Sequence, residues 1–309
     1  MRGARASTRR GIRVAGERIT PYIALTKPRI IELLLVTTLP TMIVAQDGLP
    51  PLWLIAATLV GGALAAGGAN AINMVVDRDI DQVMHRTKNR PLVTGAVTPQ
   101  AALLFAIVLE VLAFVELWRF VNLLSAVLAV SATAFYVFVY TLWLKRRSSQ
   151  NIVIGGAAGA VPVLVGWAAV TDSLGWAPLV LFALIFIWTP PHFWSLAVRY
   201  RDDYRAADVP MLPVVASLEK TTQQIFLYTL VLVAVSVVFA PVANMGLFYV
   251  VAAAVLGAVF IWMAARLWRL ARLDRATTRD AMRLFGYSIT YLTLLFGAMA
   301  ADVFIQRLH

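Results

Sequence analysis

The sequence predicts an all-α, polytopic membrane protein: nine transmembrane helices around a cavity that opens to the cytoplasmic side. Three observations predict it: the composition, the spacing of the apolar runs, and the side on which the cations fall. Of the 309 residues 61% are hydrophobic and only 14% charged, whereas a soluble domain carries about a quarter of charged residues. The absence of cysteine excludes disulfides, thiolate metal sites and a cysteine nucleophile. Any metal must then be held by oxygen or by one of the 3 histidines, His85, His192 and His309.

A bilayer core of about 30 Å needs roughly 20 apolar residues in helical form. Runs of that kind occupy 29–46, 52–75, 100–118, 121–143, 152–171, 176–196, 224–242, 246–265 and 284–304. Ahead of them, residues 1–20 hold Arg2, Arg5, Arg9, Arg10, Arg13 and Arg18 without an apolar stretch, which reads as a basic, disordered cytoplasmic tail. Residues 21–309 read as a single membrane domain. The lysines and arginines gather in the tail and after spans 2, 4, 6 and 8, leaving only Arg119 and Arg307 on the other side. By the positive-inside rule the N-terminus is cytoplasmic, and an odd number of spans puts the C-terminus outside. A multi-pass protein of the cell (plasma) membrane is the expectation. The net charge of +11 is a one-sided skirt facing the anionic headgroups of the lipid bilayer, with no nucleic-acid partner implied. Connections after spans 2 and 6 mix acids with bases, while those after 4 and 8 are mainly basic, so spans 1 to 4 and 5 to 8 suggest a weak internal repeat.

The acids at the end of span 2 sit where an oily helix ordinarily carries none. In NMVVDRDID, Asn73, Asp77 and Asp81 are spaced i, i+4, i+8, share one helical face and span about 12 Å. The negative end of the helix dipole and like charges at i, i+4 both oppose that arrangement. The acids could pair loosely with Arg86 or Arg90 in a solvated loop, but a divalent cation relieves the shared face best, and magnesium uses one or two carboxylates while sharing its other positions with water and phosphate oxygens. A phosphate ester is the implied partner. The following string, HRTKNRPL, supplies Arg86, Lys88 and Arg90 as phosphate ligands. After span 6, RYRDDYRAAD repeats the combination with Asp202, Asp203 and Asp208 beside Arg199, Arg201 and Arg205. Two such clusters are expected to face one cavity.

The Asn73, Asp77, Asp81 pattern resembles the N-x-x-x-D-x-x-x-D motif of the UbiA-type intramembrane prenyltransferases. Within that superfamily the strings LTKPRI, NAINMVVDRDID, RTKNRPL, YTLWLKRRSSQNIVIGGAAGA, WTPPHFWSLAVRYRDDY and PMLPVV are similar to the protohaem IX farnesyltransferases, from about residue 21 to the last span. The resemblance implies transfer of the farnesyl group of farnesyl diphosphate to a vinyl group of protohaem IX (haem B), giving haem O. Haem is then a substrate and not a prosthetic group, and a haem A synthase is the expected downstream partner. It also implies Mg2+ and diphosphate on Asn73, Asp77 and Asp81, with Lys27 and Lys145 joining the cations, and Asp203 in a second acidic motif beside Asp202. The superfamily's second motif is often D-x-x-x-D, whereas here Arg199 lies four before Asp203 and Ala207 four after.

The chemistry suits the residues without the name. Ionisation of an allylic diphosphate leaves charge for metal and cations to stabilise, and the allylic cation needs a dry, aromatic pocket. Tyr140, Trp188 and Trp194 are candidates for that pocket, although Trp and Tyr near span ends also form interfacial belts. His192, in TPPHFW, reads either as a hydrogen-bonded structural histidine or as a haem contact, through the iron or a propionate, in a segment that Pro190 and Pro191 are expected to break. Arg29 is a further candidate for haem or prenyl binding. Glu110 falls mid-span, where an ionisable group is a functional candidate or a paired packing residue.

Rival classes fare worse. A CDP-alcohol transferase should show D-G-x-x-A-R, and Asp47-Gly48 is followed by LPPL. A transporter would place its polar groups near the midplane, not at the cytoplasmic end. A UbiA-type enzyme with another aromatic acceptor, such as a quinone precursor, differs only in pocket shape.

Overall fold

The computed structural model describes residues 19–308, with the backbone alone for 29–35. The expected tail, Arg29's side chain and His309 therefore lie outside the described residues. After a helical stretch at 19–26, the long helices are α1 (Pro28–Gln46), α2 (Leu52–Val76), α4 (Pro99–Phe120), α5 (Leu123–Ala134), α6 (Asn151–Thr171), α7 (Trp176–Arg199), α10 (Leu218–Val242), α11 (Leu247–Arg272) and α12 (Thr278–Gln306). Three short helices sit in the connections: α3 (Arg78–Val83), α8 (Arg201–Ala206) and α9 (Leu212–Val215). Eight of the described helices are long and apolar enough to cross a membrane, counting Leu123–Leu144 as one. The chain is a multi-pass integral membrane protein, and α1, which is not among those eight, lies on the first of the nine expected runs.

Local signals explain where the helices begin. Thr98, Asn122, Ser217 and Thr277 each accept a backbone N–H of the first turn, and Thr277 with Asp280 completes a capping box. The long helices form a ring in chain order, with α12 closing on α1 and with inner contacts of α1 on α6 and α7 on α12. Small residues let backbones approach, since lipid tails give helices no hydrophobic reason to associate. A Cβ on Gly68 of α2 would lie 2.6 Å from Glu110 Oε1 on α4. The large side chains of α4 point outward, Leu104 and Trp118 among them, as lipid-facing positions should.

Two elements depart from expectation. Span 4 does not finish as an α-helix: Phe135–Leu144 is a π-helix, closed by Lys145 N–H to Tyr140 O at 2.9 Å. The break expected at Pro190–Pro191 does not occur, and α7 is continuous through both prolines. Both prolines are buried. Hydroxyls add bonds in the adjoining turns, Thr189 Oγ1 donating to Ile185 O at 2.9 Å and Ser195 Oγ to Pro191 O at 2.6 Å, while the carbonyls that the two ring nitrogens leave unserved are those of Phe186 and Ile187. In hydrocarbon an unwound turn would release still more backbone groups with no water to satisfy them, which favours keeping the helix through proline.

Candidate active site

Asn73, Asp77 and Asp81 do share a face, across a change of helix. Asp77 ends α2 as its C-cap and α3 begins at Arg78. Register survives the junction, because Asp77 N–H donates to Asn73 O and Asp81 N–H to Asp77 O, both at 2.9 Å. All three side chains are buried, with Asp77 at 0% exposure.

Cations from three separate segments converge on them. Lys145, just past the π-helix, pairs with Asp77 Oδ2. Arg90 Nη1 reaches Asp81 Oδ2 at 2.6 Å. Lys27 Nζ donates to Asn73 Oδ1 at 2.9 Å. Asn73 spends its amide donors on Asp77 Oδ2 at 2.7 Å and Thr141 Oγ1 at 3.3 Å, so its flip state follows from its partners. Lys27 itself has φ 52, a left-handed conformation that costs a non-glycine residue about 1–2 kcal/mol. Burial first, then the neighbouring Arg90 and Lys145 charges, lower its pKa to about 7.

One atom in this cluster is left over. Asp77 Oδ1 is buried and has no hydrogen-bond partner, a costly state for a carboxylate oxygen. Among the described residues no three acidic or histidine side chains form a ready-made metal cage. The donor set therefore fits a divalent ion that takes Asp77 Oδ1 and few other protein oxygens, completing its shell from substrate and water.

The second acidic segment is built differently. Asp203 accepts the backbone N–H groups of His85 at 3.3 Å and Arg86 at 3.1 Å, tying the connection after α7 to the one after α3. Asp202 points outward with a 94% exposed side chain and meets Arg205 at 3.1 Å. Arg86 and Arg199 both lie over the ring of Tyr200, at 5.2 and 5.6 Å. Together His85, Arg86, Arg199, Tyr200, Asp202 and Asp203 line a cavity of about 430 Å³. Of the three basic residues expected together in HRTKNRPL, Arg90 reaches the buried cluster, Arg86 joins this cavity, and Lys88 is exposed.

The aromatic candidates divide. Tyr140 stacks on Tyr136 at 5.4 Å and lies against Gly155, where a Cβ would be 2.2 Å from its ring. Trp188 and Trp194 are packed in the core, and Trp194 meets Tyr228 edge-on. Trp194 is therefore neither a belt residue nor among those lining the cavity. His192 is 7% exposed, on the unbroken α7. Glu110 Oε1 accepts from Thr133 at 3.1 Å beside Gly68, while its buried Oε2 has no hydrogen-bond partner.

Three contributors escaped the sequence reading. Thr141 props Asn73, Arg146 holds Asp79 through two contacts of 2.7 Å, and Asn70 donates to Thr26 O at 3.0 Å beside the Lys27 turn. Asn70 carried a signal, since it shares the Asn73 face at i, i+3. The other two depend on how the π-helix turns.

Known proteins match this chain closely. The UbiA prenyltransferase family profile covers residues 34–289. A protoheme IX farnesyltransferase of Parafrankia sp. (strain EAN1pec) is 58% identical over 287 residues, 93% of this chain and 91% of that protein. Another, from Streptomyces avermitilis, is 50% identical over 301 residues, 97% of this chain and 99% of that one. Among solved structures, one concerning digeranylgeranylglyceryl phosphate synthase aligns with TM-score 0.75 at 16% identity, over 93% of this chain and 99% of that one. A UbiA homologue from Archaeoglobus fulgidus bound to GPP and Mg2+ aligns with TM-score 0.62 at 16% identity, over 90% and 99%. At such identities the structural likeness speaks for the fold. The relatives and the profile together place the chain in the UbiA prenyltransferase family, to whose protoheme IX farnesyltransferases it belongs.

Proposed function

We propose that this prenyltransferase moves the farnesyl group of farnesyl diphosphate onto a vinyl group of protohaem IX, giving haem O. The observation that carries the site assignment is the buried cluster of two carboxylates and three basic side chains with one oxygen, Asp77 Oδ1, unpaired. Asn73, Asp77 and Asp81 would hold Mg2+, which neutralises charge building on the leaving group. Lys145 and Arg90 are held by the acids without substrate and take diphosphate oxygens when it arrives. Lys27, held on Asn73 Oδ1, stands beside them as a further cation for the diphosphate.

When the allylic C–O bond breaks, its electron pair leaves with the diphosphate. The haem vinyl carbon attacks the allylic cation, and water adds to the new cation with loss of a proton. No enzyme nucleophile is consumed. Tyr140 and Tyr136 offer their faces to the allylic cation next to Asp77. Asp203 acts by setting the loop that carries Arg86. The cavity beside Tyr200 opens to the cytoplasm of a plasma-membrane protein whose N-terminus is cytoplasmic, and haem A synthase receives the product.

The test is direct. Purified protein incubated with haem B and farnesyl diphosphate, with and without Mg2+, should yield haem O by mass only when the metal is present. Farnesylation of a quinone precursor in place of haem would overturn the acceptor.

A further inference from the structure

His192 lies on α7 seven residues before Arg199, so the two share a helical face about 10 Å apart. Aromatic rings fix its imidazole. Trp188 stacks on it at 4.2 Å with 20° between planes, Phe285 of α12 lies at 4.6 Å, and Phe193 meets it edge-on at 5.6 Å.

Its Nδ1 lies 2.7 Å from Ser288 Oγ. Ser288 Oγ is in turn 2.6 Å from the carbonyl oxygen of Phe285. Two oxygens that close need a proton between them, and a carbonyl has none to give. The hydroxyl proton therefore belongs to the Phe285 contact, Ser288 accepts on its other side, and Nδ1 donates. A neutral imidazole protonated at Nδ1 carries its lone pair on Nε2. Ser288 is itself anchored, since its carbonyl accepts Trp188 Nε1 at 2.9 Å. Nε2 makes no hydrogen bond with the described residues.

We infer that His192 Nε2 ligates the iron of the porphyrin substrate, and that Ser288 is the positioning residue that holds the required tautomer. The inference rests on haem as the acceptor and goes beyond it by naming the atom that grips the iron. A propionate contact is disfavoured, because Nε2 in this tautomer has no proton to donate to a carboxylate. Donors for propionates stand two turns outward on the same face, where Arg199 and Arg86 flank Tyr200. Iron and propionates so held fix the porphyrin at two points, and its vinyl groups cannot turn away from the prenyl donor.

The experiment uses the full-length protein in detergent, with haem B and metal-free protoporphyrin IX as probes. Wild type should prefer haem B by about 10–100-fold, the range over which a metal ligand's support acts. His192→Ala should remove that preference and shift the Soret band of bound haem, and imidazole added to the solution should restore the band. Ser288→Ala should weaken haem about 10-fold while protoporphyrin binding, which reports an intact pocket, stays unchanged. Ser288→Thr, keeping the hydroxyl, should behave as wild type. Equal wild-type affinity for the two porphyrins, or an unshifted Soret band in His192→Ala, overturns the ligation. Farnesyl transfer is followed in parallel: ligation without any haem O would sink the acceptor reading alone, and haem O formation without ligation would sink this inference alone.

Discussion

Spans α2 and α7 each run into a six-residue helix rich in acids and arginines, Arg78–Val83 and Arg201–Ala206, yet their carboxylates face opposite demands. Asp77 is enclosed, with one oxygen on Lys145 and Asn73 and the other on nothing. Asp203 gives its oxygens to two backbone N–H groups, and Asp202 stands in solvent. A carboxylate whose oxygens each accept a backbone N–H ties two segments of its own chain together. One that is buried with an oxygen unpaired beside several cations, as Asp77 is, has room for a further ligand. Counting acids in a connection does not separate these cases; asking what each oxygen faces does.

That contrast can be broken experimentally, starting where the effect is largest. Asp77→Asn should lower farnesyl transfer by at least about 100-fold, as loss of a group that organises transition-state charge does. Removing divalent metal with EDTA should mimic it in wild type, with recovery on adding Mg2+. Wild-type turnover in Asp77→Asn at equal expression would erase the difference between the two segments. Lys145→Ala should cost about 3–5 kcal/mol of stability, because it strands a buried carboxylate. Thermal unfolding in detergent reads this, and adding Asp77→Asn to the same chain should return much of the stability but none of the activity. Arg90→Ala should raise the KM for farnesyl diphosphate more than that for haem, and the reverse order would move Arg90 to the propionates.

Smaller effects test the second segment. Asp203→Ala frees the His85 and Arg86 N–H groups, worth about 1–3 kcal/mol, and should raise the KM for haem about 10-fold with little change in kcat. Asp202→Asn should change neither parameter by more than about twofold, since an exposed ion pair contributes about 0–1 kcal/mol. A metal-like loss of kcat in either variant would make the two segments equivalent after all.

The spans were legible because a bilayer imposes a length, and the observed helices fall on the expected runs. The Asn73, Asp77, Asp81 face was legible because helical spacing needs no tertiary knowledge, and it held even though the helix changes at Asp77. Which cation goes where was not. Arg86 and Arg90 are four residues apart in one loop, but Thr87 Oγ1 on Asp81 O at 3.1 Å and Asp203 on the Arg86 N–H send them to different places. Pro190–Pro191 misled for a solvent reason, since the break rule assumes water ready to take the freed carbonyls. The packing of Trp194 in the core was not legible either, because a position near a span end does not say which way the ring points.

The ten π-helical residues Phe135–Leu144 give span 4 slack that the other spans lack. An α-helix advances about 100° per residue, so deleting one residue from α6 or α7 would swing everything beyond it to another face. In the π segment the same deletion can be absorbed by reverting toward ordinary i→i+4 pairing. Lys145 would then stay within reach of Asp77. The stretch is therefore the place in span 4 where loss of one residue should be tolerated, with the charge that guards the acidic helix keeping its bearing.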